Sequence, residues 1–160
     1  MSALEFLDPD DWETWRDLRL RALQESPDAF GSTYDRELGF TEEDWRHRAG
    51  RDGYAVVATD GGVRVAMGGG FVLADEFLVF GMWTDRTRRR RGHATAILDA
   101  LLSRARDREL PVAIHVNLAN PAARAAYESY GFVATGELEP LRPGSDQQVE
   151  LLRLPVSTPR

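Results

Sequence analysis

"RTRRRRGHATAILDALLSRA", Arg86 to Ala105, decides how this chain is read. Five arginines fall within the six positions Arg86–Arg91, and a glycine follows. Ala94, Ile97, Leu98, Leu101, Leu102 and Ala105 then recur in steps of three and one, which lays a single apolar stripe along a helix. Just upstream, "EFLVFGMWT" (Glu76–Thr84) is apolar on both faces, the pattern of a strand at the centre of a sheet. A central strand therefore runs through an arginine-rich turn into a buried helix. The first N–H groups of a helix have no partner within it, and the helix dipole places them at positive potential. Gly92 and Ala94 are small enough to let an anion approach the backbone, and arginine forks can close over it. This arrangement predicts a phosphate site. A nucleic-acid surface would continue the charge along one face with interleaved aromatic residues, but the run stops at Gly92 in an acidic chain. A solvated basic loop is the other alternative.

Outward from this stretch, "ALEFL" reads as a first strand. "PDDWETWRDLRLRALQE" reads as an amphipathic helix opened by Pro9 and Asp10, with Trp12, Trp15, Leu18 and Ala22 at helical spacing. "SPDAFGSTY" breaks it. "TEEDWRHRAG" is a short helix capped by Thr41 and ended by Gly50. "YAVVATDGGVRVAMGGGFVL" is a hairpin about Asp60–Gly62, with Gly68–Gly70 marking a bulge or a close backbone approach, and Gly81 is a second bulge candidate. "PVAIHV" is a strand. "NPAARAAYESYGF" is a helix capped by Asn120, with Pro121 at its first position and Gly131 at its end. "FVATGELEP" and "QQVELLRL" form a closing antiparallel pair. The fold class is α/β: a mixed, mostly antiparallel sheet flanked by helices on both faces. Residues 1–156 are expected to form one domain and 157–160 a frayed tail.

The 160 residues suffice for one core, and 42% hydrophobic with 29% charged residues is ordinary for a globular chain. No apolar run reaches the roughly 20 residues of a membrane-spanning helix. The N-terminus has no basic n-region and no apolar h-region, so it does not read as a signal peptide; no membrane partner is expected. The absence of cysteine excludes disulfides and thiolate chemistry and suits the cytoplasm. No histidine pair has metal-ligand spacing, so no metal is expected. The net charge of −6 is uneven: Met1–Asp44 holds 13 acids against 4 arginines, a net of −9. All 20 residues counted as lysine or arginine are arginine.

With these elements in place, the chain resembles the GNAT superfamily of acetyl-CoA-dependent N-acetyltransferases. That family carries Arg/Gln-x-x-Gly-x-Gly/Ala between its fourth strand and the helix after it, and Arg89-Arg90-Arg91-Gly92-His93-Ala94 matches. "GMWTD" resembles the family's fourth strand, and Asn120, Tyr127 and Gly131-Phe132 resemble its later helix. Two positions depart from the pattern: Arg90 stands where Gly is common, and Arg86 where Pro is common. Neither departure removes a backbone amide from the turn.

The resemblance implies acetyl transfer from acetyl-CoA to an amine. It implies cofactor contacts from Met82, Trp83 and Thr84 along the strand, from Arg89, Arg90, Arg91, Gly92, His93, Ala94 and Thr95 at the turn, and from Asn120 and Tyr127. Pantetheine would pair with the strand as an added β-strand does, and a bulge at Gly81 would aim an N–H at the thioester oxygen. Tyr127 is the expected general acid for the leaving thiolate, whereas Tyr130 is structural. His115 is the candidate base, with an ordinary pKa of about 6.5; Glu76 and water are its rivals. His47 and His93 are expected at the periphery, His93 as a helix-start residue beside the phosphates. The acceptor pocket is expected in the acidic N-terminal segment, with Asp28, Phe30 and Tyr34 lining it and favouring a cationic amine. A homodimer is compatible with the resemblance, and an inactive acyl-CoA-binding module is the alternative function.

Overall fold

A computed structural model describes residues 2–51 and 53–156; the expected frayed tail lies outside the described residues. Seven strands form one sheet: β1 (Ser2–Phe6), β2 (Tyr54–Asp60), β3 (Val63–Leu73), β4 (Glu76–Thr84), β5 (Val112–Asn117), β6 (Val133–Pro140) and β7 (Gln148–Leu154). Their order is β1-β2-β3-β4-β5-β7-β6, which puts β4 at the centre. Every pairing is antiparallel except β4 with β5, which a helical crossover joins in parallel.

That crossover is α4 (His93–Asp107), the helix of the arginine stretch. It packs on one sheet face with α5 (Pro121–Ser129), over a core that includes Phe77, Val79, Ile97, Leu101, Ile114 and Phe132. Its buried stripe begins one residue earlier than the spacing predicts. His93 is buried and Ala94 exposed, because positions 93, 97 and 101 stack on one helix face. The other sheet face carries α1 (Trp12–Glu25), α2 (Tyr34–Leu38) and α3 (Glu42–Arg46). There Trp15, Leu18, Leu23, Trp45, Met67 and Trp83 pack together. Asp8 caps the 3-10 turn before α1, and Thr41 and Asp44 form a capping box on α3. The sequence break at residues 26–34 holds a 3-10 turn, Pro27–Ala29, and the five-residue α2, capped by Thr33, follows it.

The glycines divide the roles that the sequence left open. Met67 pairs with Trp83 and Gly69 with Phe80, so Gly68 faces two residues, Gly81 and Met82. The bulge's extra residue is therefore on β4, and Gly81 takes the left-handed φ of +66° that it requires. Gly68 instead allows a close approach: a β-carbon there would stand 2.5 Å from Met82 Sδ and 2.7 Å from Ile97 Cγ2.

Candidate active site

The central strand also creates the site. β4 and β5 pair only at Phe77–Val112, Leu78–Ala113 and Val79–Ile114. Past Val79 the bulge bends β4, while β5 stays paired with β7 on its other side. The two strands part around a cavity of about 280 Å³. Phe80, Gly81 and Met82 line one wall; Ile114, His115 and Asn117 line the other. Tyr127 of α5, Glu139 of β6, Arg19 of α1 and the Ala29–Gly31 loop complete it.

His115 and Glu139 meet here although β7 lies between their strands. His115, Asn117, Val149, Leu151 and Glu139 share one sheet face by the pairing register. His115 Nε2 stands 3.1 Å from Glu139 Oε1, with the imidazole 42% exposed. Tyr127 packs edge-on against Phe132, and burial pushes its phenol up to about 12, so it keeps its proton at neutral pH. Glu76 does not join them. It begins β4, and its carboxylate is engaged by Arg153 Nε and, at 3.0 Å, by Nη2. Those hydrogen bonds hold its pKa below the ordinary value. It is absent from the cavity wall, so the expected rival base is a structural ion pair.

The expected acceptor residues separate. Phe30 lines the cavity, while Asp28 and Tyr34 do not. The Asp28 side chain is 66% exposed beside Arg142, and its carbonyl accepts from Asn117 Nδ2 at 3.1 Å. Tyr34 is half-buried and packs against the core that α1 covers. Arg142 Nη1 donates to Phe30 O at 2.9 Å, which ties this loop to the β6–β7 turn. The ionisable wall is Arg19, His115, Glu139 and Tyr127, mixed rather than acidic. The N-terminal acids mostly face solvent or are already paired. Burial raises the pKa of Glu37, but the hydrogen bonds and charge of Arg19, helped by Ser32 and Arg48, more than offset this and hold it low. Arg19 and Glu139 were missed in the sequence.

The arginine turn leads from β4 to α4. Asp85 accepts from Thr87 N at 2.9 Å and from its hydroxyl at 2.8 Å, which holds its pKa down; Arg21 also pairs with it. Two acids gather the arginines. Asp60 Oδ2 lies 3.8 Å from Arg88 Nη1, 3.4 Å from Arg91 Nη1 and 3.4 Å from His93 Nε2. Glu25 Oε1 lies 3.6 Å from both Arg86 Nε and Arg89 Nη2. Arg89 Nε also donates to Thr84 O at 3.1 Å. Arg90 (φ +66°) and Gly92 (φ +83°) are left-handed. Gly92 is the N-cap of α4, no side chain caps that helix, and a β-carbon on Gly92 would meet nothing within 4 Å. The open, uncapped start of α4, ringed by more arginines than acids, fits a pyrophosphate. His93 is buried at this helix start, not peripheral. Trp83 turns its side chain to the α1 core, so only its backbone can face a ligand along β4. Asn120 accepts from Ala123 N at 3.1 Å and caps α5. Among the described residues, no group of three His, Cys, Asp or Glu side chains could hold a metal ion, and no helix is long and apolar enough to cross a membrane.

Comparison with known proteins meets this geometry. The profile of the acetyltransferase (GNAT) family matches residues 12–132. The chain belongs to that family. As a GNAT acetyltransferase it is an acyltransferase, and the match spans both the arginine turn and Tyr127. The same fold occurs in a GNAT-family acetyltransferase from Streptococcus pneumoniae (TM-score 0.82, 15% identity, covering 98% of this chain and 100% of that one). It also occurs in the ribosomal-protein-S18-alanine N-acetyltransferase of Escherichia coli (TM-score 0.73, 21% identity, 100% and 97%). Ard1 of Thermoplasma volcanium is similar as well (TM-score 0.73, 23% identity, 98% and 99%). No curated protein matches this GNAT chain.

Proposed function

We propose that residues 1–156 act as one N-acetyltransferase domain that moves an acetyl group from acetyl-CoA to a primary amine. One observation carries this: the β4–β5 cleft gathers the Gly81 bulge, the His115–Glu139 pair and Tyr127 around one cavity, at the end of β4 that leads to the arginine turn. The backbone at the start of α4, with Arg89, Arg90 and Arg91, would hold the pyrophosphate; Met82–Thr84 would pair with pantetheine. Bound acetyl-CoA supplies an acetyl group activated as a thioester.

The chain's own residues then have separate tasks. Glu139, whose Oε1 stands 3.1 Å from His115 Nε2, would orient the ring and leave Nδ1 to take a proton from the attacking ammonium. The backbone at the Gly81 bulge donates to the carbonyl oxygen as negative charge grows there. The nitrogen–carbon bond forms, the carbon–sulfur bond breaks, and sulfur leaves with the electron pair. Tyr127, at about 12, is a far weaker acid than a thiol near 8.5. It therefore stabilises the departing sulfur by hydrogen bonding, and solvent completes the proton balance.

The test is acetyl-CoA turnover on a panel of alkyl amines, polyamines, aminoglycosides, amino acids and peptides, read by CoA release and product mass. The chain has no lysine, so it offers no ε-amino group that would blur the product assignment. Acetylation of at least one amine class is expected. Tight acetyl-CoA binding without turnover on any of them would reduce the protein to an acyl-CoA-binding module. A chain without cysteine also suits work in the cytoplasm.

A further inference from the structure

Arg19 is a cation on the apolar stripe of α1. Its side chain is 7% exposed, and that of its partner Glu37 is 1% exposed. Nε donates to Glu37 Oε1 at 2.9 Å and Nη2 to Oε2 at 3.0 Å, so one edge of the guanidinium is fully used. The other edge is not: Nη1 is buried and has no hydrogen-bond partner. Its position is fixed. The guanidinium lies 4.6 Å from the Phe30 ring centroid, and Nη1 stands 3.0 Å from where a β-carbon on Gly81 would sit. Arg19, Phe30 and Gly81 all line the cavity. A buried, unmet donor is costly, and it is recovered when a ligand brings an oxygen to it.

We infer that Arg19 reads the acceptor: Nη1 hydrogen-bonds a carbonyl or carboxylate oxygen on the carbon next to the reacting amine. This rests on the N-acetyltransferase reading and narrows it to α-amino carbonyl compounds, either free amino acids or peptide N-termini. Position sets the class. The amine must reach the acyl carbon beside the Gly81 bulge, and Nη1 lies against that same glycine, so the group it touches is within a bond or two of the nitrogen. Charge sets the rest. Glu37 already neutralises Arg19, so the free edge seeks a lone pair rather than a full negative charge, and an amide carbonyl serves as well as a carboxylate. A simple alkyl amine or polyamine leaves Nη1 unmet.

The test compares leucinamide, leucine and a leucyl tetrapeptide with 3-methylbutylamine, which lacks the carbonyl. Each is assayed with wild type and Arg19→Lys, which keeps a cation for Glu37 but loses the second edge. Taking the ratio between enzymes cancels the different basicities of the amines. The preference in kcat/KM for carbonyl-bearing acceptors should fall about 10- to 100-fold in the variant, as expected for losing one hydrogen bond to a charged group. Leucine and the tetrapeptide then show whether the free amino acid or the peptide is the better source of that oxygen. Should Arg19→Lys fail to fold, Arg19→Met/Glu37→Leu removes the buried pair as a unit and is read the same way. An equal fall for all four amines would mean that Arg19 serves the thioester oxygen instead, and would overturn the inference. Acceptor binding by calorimetry without acetyl-CoA gives an independent readout. Wild type should bind leucinamide at least about tenfold more tightly than 3-methylbutylamine, and equal affinities overturn the Arg19 assignment. Failure of every amine to release CoA would refute the transferase reading, while the calorimetric comparison still decides Arg19.

Discussion

Gly92 offers a sharp test of the arginine turn, because two substitutions there separate backbone strain from charge. Both Gly92→Ala and Gly92→Glu must hold φ near +83°, and in both the new β-carbon enters open space. The shared cost is therefore conformational, about 1–2 kcal/mol, or a few degrees in Tm for a chain of this size. The glutamate adds a charge beside the proposed pyrophosphate. At about 5 Å in water two unit charges repel by about 0.8 kcal/mol, so a doubly charged pyrophosphate is disfavoured by about 1.7 kcal/mol. That is roughly a fifteen-fold rise in acetyl-CoA Kd over the alanine variant. Calorimetry at about 10 mM ionic strength, where screening is weakest, measures it, and the gap should shrink near 150 mM. Equal affinity of the two variants at low salt would refute the pyrophosphate site, since no charge placed there could then be close to the ligand.

The remaining expectations concern the cavity. Tyr127→Phe should slow turnover by roughly 10²-fold while leaving acetyl-CoA affinity intact; normal turnover removes Tyr127 from the chemistry. Its phenol also has a stability signature. A folded-state pKa of about 12 against about 10 unfolded stabilises the fold below pH 10, and that contribution is lost as pH rises toward 12. Alkaline denaturation of wild type and Tyr127→Phe should therefore differ in that window. His115→Ala should lower turnover by roughly 10²-fold while leaving acetyl-CoA affinity intact; unchanged turnover would rule His115 out as base. Glu76→Gln should leave turnover unchanged and cost at most about 1 kcal/mol of stability. Because the pKa of Glu76 is lowered in the fold, that difference is present above its unfolded value and vanishes as pH falls through its folded one.

Local chemistry made the fold legible. The 3.6-residue stripe of α4, the Asp60–Gly62 turn and the two-sided apolar β4 each named their own element, and the arginine turn could be located from residue order alone. The cavity was harder to read because the sheet order assembles it. Nothing near Glu139 in sequence points to His115, and they meet because the pairing register puts both on one sheet face across β7. Arg19 did leave a trace: it falls on the stripe Trp15, Leu18, Ala22 and Leu23, where a charge must be paired or functional. Asp28 and Tyr34 misled because a loop's net charge does not say which way each side chain turns.

The three-pair seam between β4 and β5 has a consequence for how the molecule holds together. Strands β1–β4 and β5–β7 form two well-laddered halves that share only that short run of backbone pairing. Much of their union rests on side-chain packing beneath α4 and α5. Such a molecule has a built-in line of partial opening, along which the C-terminal half can loosen before the whole unfolds. A donor molecule lying along β4 in the seam would oppose that opening. Part of its binding energy would appear as added cooperativity, with amide exchange slowed as far out as β6 and β7, beyond the two strands that border the seam.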